Sequence, residues 1–131
     1  MAAHNTQNRR AQHNARAAAL ARGLGWLSIG VGLAQIFAPR VVCRLAGLPP
    51  APMFTRLCGM RELACGIGIL TQAEPAPWLK ARVAGDVMDL ACLAAAAPLE
   101  RADGARIGVA LAVVAGVTSL DVYCSRELAS R

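Results

Sequence analysis

The sequence predicts an all-α protein: a bundle of four transmembrane helices, with a short interfacial amphipathic helix between the first and second. Three observations lead there. The 131 residues are 56% hydrophobic and only 17% charged, against about 25% charged in soluble domains, and the mean hydropathy is +0.42. The apolar residues, mostly Ala, Leu, Val and Gly, gather into four blocks. At 1.5 Å per residue each block is long enough to cross a hydrocarbon layer of roughly 30 Å. The Arg residues lie mainly at the edges of those blocks, as membrane-flanking cations do. The length allows one domain.

The elements follow in order. Residues 1–16, MAAHNTQNRRAQHNAR, are polar and basic and predict a disordered cytoplasmic tail. The next apolar block is too long for a signal-peptide core and has no clear cleavage site, so it reads as a retained span over 17–38, closed by Pro39. Gly25, Ser28 and Gly32 share one face of it, and Ser28-x-x-x-Gly32 and Gly30-x-x-x-Ala34 are spacings that admit a neighbouring helix. PRVVCRLAGLPPAP then places Arg40 and Arg44 four apart beside Val41, Val42 and Leu45, which predicts the interfacial helix, ended by Gly47 and Pro49-Pro50. The remaining spans are expected over 52–71, 78–97 and 107–124. Trp78 stands at an interfacial position, Pro77 in a first helical turn, and Ala112-x-x-x-Gly116 offers the last span a packing pair. Residues 127–131 form a short tail.

Four spans put both termini on one side. Arg9, Arg10, Arg16, Arg22, Lys80, Arg82, Arg126 and Arg131 share it, and Arg40, Arg44, Arg56, Arg101 and Arg106 face the other. The excess predicts a multi-pass protein of the bacterial inner membrane with cytoplasmic termini. The alternative is a soluble Ala-rich bundle, against which stands the apolar character of every helix nearly all round.

Charges inside the spans are the candidate chemistry. Glu62, Asp86, Asp89 and Asp121 lie within them, with Arg22, Arg61 and Arg82. Each costs about 2.5–3.5 kcal/mol at a helix centre, so they are expected to turn inward and pair. Arg82, Asp86 and Asp89 are spaced i, i+4, i+7 and share one face. Counting rise from one membrane side gives two layers. The shallow one sets Arg82, joined by Arg22, against Asp121. The deep one sets Arg61 against Glu62, Asp86 and Asp89. Three cations against four anions predict one carboxyl held neutral by burial and like charge. Gly85, beside Asp86, would admit a neighbour or a ligand.

Other chemistry is excluded or weak. Cys43, Cys58, Cys65, Cys92 and Cys124 are odd in number, without a CxxC, and read as small buried apolar residues. His4 and His13 are both in the tail, so no span offers imidazole to a metal or haem; no metal or other cofactor is expected. P-loop, GxSxG and HExxH motifs are absent. The basic balance, +6 with pI near 9.7, carries no aromatic-interleaved stripe of the kind nucleic acid needs.

Four stretches, ARGLGWLSIGVGLAQIFAPR, LCGMRELACGIGIL, ARVAGDVMDLACL and VAGVTSLDVY, together resemble an uncharacterised family of small bacterial four-helix membrane proteins. In some relatives a similar domain precedes a polyketide cyclase/dehydrase-like domain. The resemblance covers 17–126 and is carried by Gly59, Arg61, Glu62, Arg82, Gly85, Asp86, Asp89, Leu90 and Asp121; it implies the fold and no established activity. Three functions stay open. One is binding of, or acid/base action on, an apolar small molecule or lipid, with Glu62, Asp86 or Asp89 as the acid and Arg61, Arg82, Asp121 and Arg22 in support. The second is a proton- or cation-coupled transporter. The third is a structural subunit, docking as a homo-oligomer or on a larger membrane partner, whose charges only set helix register.

Overall fold

The computed structural model describes residues 1–99 and 102–130, and these fold into five α-helices with no strand among them. They are α1 (Ala2–Phe37), α2 (Pro39–Leu45), α3 (Pro52–Thr71), α4 (Ala76–Ala96) and α5 (Gly104–Ala129). Arg101 and Arg131, used above in the charge balance, lie outside the described residues. Two helices, α1 and α5, are long and apolar enough to cross a membrane. Helices α3 and α4 reach 20 and 21 residues, but every 18-residue window in them holds three or more ionisable side chains.

Helix α1 corrects one expectation. The first 16 residues are helical rather than disordered. They contain no Pro or Gly before Gly23 and are rich in Ala, Arg and Gln, which favour helix without needing an apolar face. This extension runs beside the end of α5, where Thr6, Arg9, Arg10, His13 and Asn14 face Glu127 and Ser130. Helix α1 stops at Phe37 because Pro39 has no N–H to give the carbonyl of Gln35, and the same Pro opens α2. Gly47 ends α2 at φ +75°. Leu48 N–H donates to Cys43 O (2.8 Å) and Gly47 N–H to Arg44 O (3.1 Å), the bonding of a Schellman cap.

Helices α1 and α3 pack backbone to backbone. Gly32 lies on Gly59, and Gly25 on Gly66; a Cβ at Gly59 would sit 2.8 Å from Gly32 O, and one at Gly66 2.7 Å from Gly25 O. Gly25, Ser28 and Gly32 thus pack as one face. Gly30 and Gly116 meet nothing within 4 Å, so the pairs Gly30–Ala34 and Ala112–Gly116 are not used within this chain. Between α3 and α4, the Trp78 ring lies over Gly68 and the Arg61 guanidinium over Gly85.

Three tiers result. At the end where the termini meet, Ala17, Ala21, Leu24, Ile69, Ala76, Leu79, Cys124 and Leu128 form a closed apolar cluster. The charged residues lie above it. Beyond them, towards α2, there is a cavity of about 420 Å³. Asp103 caps α5 by accepting from Ala105 N–H and Arg106 N–H. The α4–α5 connection is clasped to the end of α2: Asp103 N–H donates to Gly47 O (2.9 Å), and Arg106 Nη1 to Arg44 O (2.9 Å).

Burial is inverted. Glu62 is 4% exposed, Arg82 3%, Asp86 5% and Asp121 0%, while Trp26 is 62% exposed, Phe37 80% and Val109 66%.

Candidate functional site

Arg82 is the hub. Its guanidinium lies 3.7 Å from Glu62 Oε2 on α3 and 3.5 Å from Asp121 Oδ1 on α5, and Nη1 donates to Leu24 O on α1 at 2.8 Å. The expected Arg82–Asp121 pair is therefore present, and Arg82 also ties the shallow layer to the deep one. Arg22 is not part of it. It is exposed, because it stands about 100° round the helix from the buried Ala21.

Arg61 Nη2 donates to Glu62 Oε1 (2.9 Å) and to Asp89 Oδ2 (3.0 Å). Gly85 makes room for it: a Cβ there would collide with the Arg61 guanidinium. Gly85→Ala is expected to swing the guanidinium off both acids. The loss is about 2 kcal/mol for charge-assisted hydrogen bonds of this kind, read by thermal unfolding in detergent. An unchanged melting point would show that Arg61 is not held there.

Asp86 lies beside Glu62 and Asp89, as the deep layer requires, but its partners differ from those expected. It is not bonded to Arg61; its Oδ2 lies 3.3 Å from Thr118 Oγ1, and its carboxyl is the close neighbour of that of Asp121. Asp121 Oδ1 and Oδ2 accept no hydrogen bond among the described residues. Ser28 Oγ lies 2.5 Å from Glu62 Oε2 and 2.7 Å from Glu62 O. Each hydroxyl has one hydrogen and faces two acceptors, since Thr118 Oγ1 also lies 2.7 Å from Val114 O. With the hydroxyl donating to the main chain, a carboxyl proton completes the second contact. With Arg22 outside, two guanidiniums face four carboxyls, so the network has room for two further positive charges.

Glu62, Asp86 and Asp89 bring one carboxylate oxygen each within 4.8 Å of the others. Arg61 already donates to two of these acids, and no metal role is assigned to them.

Asp89 is the member that leaves the network. It is part of the cavity wall, with Gln35, Cys58, Cys92, Leu93 and Val114. Phe54, Leu48, Pro49, Pro50 and Leu99 continue that wall towards α2. Glu62 and Asp86 do not reach the cavity. Its volume falls within the roughly 300–1,000 Å³ of small-molecule sites, and its lining is mostly apolar with few polar groups, as those sites are. Sequence reasoning missed Ser28, Thr118 and Gln35 as polar partners. For Thr118 a signal existed, as it precedes Asp121 by three residues and shares its face.

All five cysteines are free. Cys43, Cys58, Cys65 and Cys124 are buried, as expected of small apolar side chains, but Cys92 is half-buried on the cavity wall. A membrane-permeant maleimide is expected to label Cys92 well ahead of Cys124, which is 0% exposed and off the cavity. Equal rates, followed by mass spectrometry of peptides, would mean the cavity is closed to small molecules.

Comparison with protein families, with curated proteins and with solved structures finds no match to this chain.

Proposed function

We propose that the chain is a four-helix integral protein of the inner membrane, with cytoplasmic termini, and that it binds an apolar small molecule or lipid beside a buried carboxylate network. The inverted burial supports the membrane reading: apolar side chains cover the outside and charges fill the inside, as lipid requires. Helices α3 and α4 fall short of a simple apolar span only through charges; Glu62, Arg82 and Asp86 are buried, Arg61 and Asp89 half-buried, and exposed Arg56 and Lys80 stand near the helix ends. At 1.5 Å per residue both helices still reach about 30 Å. Exposed Arg9, Arg10, Arg16, Arg22, Lys80 and Arg126 gather at the terminal end, against Arg40, Arg44, Arg56 and Arg106 at the other, which favours cytoplasmic termini.

One observation carries the binding reading. Asp89 lines the apolar cavity with the same carboxyl whose Oδ2 is held by Arg61. A ligand in the cavity would meet an acid coupled through Arg61 to Glu62, Arg82 and Asp121. An acid so placed could exchange a proton with a bound molecule. A proton- or cation-coupled carrier is the second reading, favoured by the excess of carboxyls over guanidiniums. A purely structural lattice does not call for a cavity at its edge.

The test is native mass spectrometry of the protein released from nanodiscs, with a cavity-filling variant, Ala96→Trp. The wild type is expected to retain an apolar molecule that the folded variant loses. Identical spectra, with nothing bound to either, would remove the binding reading.

A further inference from the structure

Two acceptors in the cavity wall lack a donor, and this deepens the binding reading on which the inference rests. Gln35 Oε1 is buried and has no hydrogen-bond partner among the described residues. Asp89 gives Oδ2 to Arg61, while Oδ1 is in no hydrogen bond to a described residue. Both acceptors lie at the same level. Gln35 packs on Gly59 of α3, and Asp89 is held by Arg61, two residues further along the same helix. Both line the cavity, on the side that adjoins the buried carboxyl network through Arg61.

Donors are scarce by comparison. No Lys, Arg or His lines the cavity. Thr55 Oγ1 donates to Ala51 O (2.9 Å), and Cys43 Sγ lies 3.1 Å from it. Asp89 and the three carboxyls behind it, Glu62, Asp86 and Asp121, share two guanidiniums. A buried acceptor left without a donor costs about 1–3 kcal/mol. A neutral hydrocarbon tail pushed inward would leave both acceptors bare, and an anionic head would meet them with like charge.

We infer that the cavity takes an amphiphilic organic cation, an apolar body carrying a protonated amine, with the ammonium inward between Gln35 Oε1 and Asp89 Oδ1. The ammonium supplies one N–H to each acceptor, and its charge can take the place of a carboxyl proton in balancing four carboxyls against two guanidiniums. The body lies among Phe54, Leu93 and Val114.

Three probes with one naphthalene body test this: the methylamine, the methanol and the carboxylate. Each is titrated against purified protein in nanodiscs and read by displacement of a fluorescent apolar dye. The amine is expected to bind about tenfold or more tighter than the alcohol, a charge-assisted difference, and the carboxylate weakest. Asp89→Asn, which keeps the shape, should remove the amine's advantage while the alcohol changes little. Gln35→Met should weaken amine and alcohol alike. Equal affinities for amine and alcohol, or a carboxylate that binds best, would overturn the cation and leave the cavity as a ligand site. If no probe displaces the dye and Ala96→Trp binds the dye as the wild type does, the binding reading itself fails.

Discussion

Replacing Arg82 by Leu is expected to cost about 3–5 kcal/mol, the range for removing one partner of a buried ion pair. The guanidinium touches Glu62, Asp121 and the Leu24 carbonyl on three different helices. Without it, Asp121 is left 0% exposed, with no cation beside it and another carboxyl, that of Asp86, as its near neighbour. The thermal midpoint in detergent should fall by about 10 °C or more for a chain of this size. Adding Asp121→Leu removes the stranded acid and should recover a large part of the loss, as matched apolar replacements of buried pairs do. Glu62 keeps Ser28 and Arg61 in that double variant. A single substitution that costs under about 1 kcal/mol would mean that water or lipid headgroups reach Asp121.

Gly66→Ala should be costly for a different reason. The added Cβ would meet Gly25 O at 2.7 Å and Ile29 N at 3.0 Å. Both are backbone atoms of a helix and cannot rotate away, so α1 and α3 must separate along the seam. Overpacking of this kind costs about 1–3 kcal/mol, with Gly59→Ala alike because it meets Gly32 O at 2.8 Å. Gly116→Ala is the control: nothing lies within 4 Å, and the change should be neutral or stabilise by up to about 1 kcal/mol through helix propensity. Equal effects at Gly66 and Gly116, measured by unfolding in one detergent, would contradict the seam.

Much of this arrangement was legible from spacing. The expected span over 52–71 coincides with α3, and the interfacial helix falls where Pro39 and Gly47 punctuate the chain. Counting rise along the helices was enough to match Arg82 with Asp121, because depth follows from position alone. Depth does not give direction round a helix axis, and that misplaced Arg22. The neutral partners were harder. Ser28, Thr118 and Gln35 carry no charge to balance, and their roles depend on how each helix is rotated against the next. The N-terminal helix was hidden because a polar segment with good helix formers has no apolar period to announce it.

Helix α1 runs without a break from Ala2 to Phe37, about 54 Å at 1.5 Å per residue. Its contact with Gly66 at Gly25 divides it unequally. Thr6, beside the end of α5, stands about 28 Å from that contact, and Gln35, at the cavity, about 15 Å on the other side. The second contact with α3, at Gly32, fixes the direction of the whole rod. One seam of small residues therefore sets both where Arg9 and Arg10 stand beside α5 and where Gln35 stands in the cavity wall.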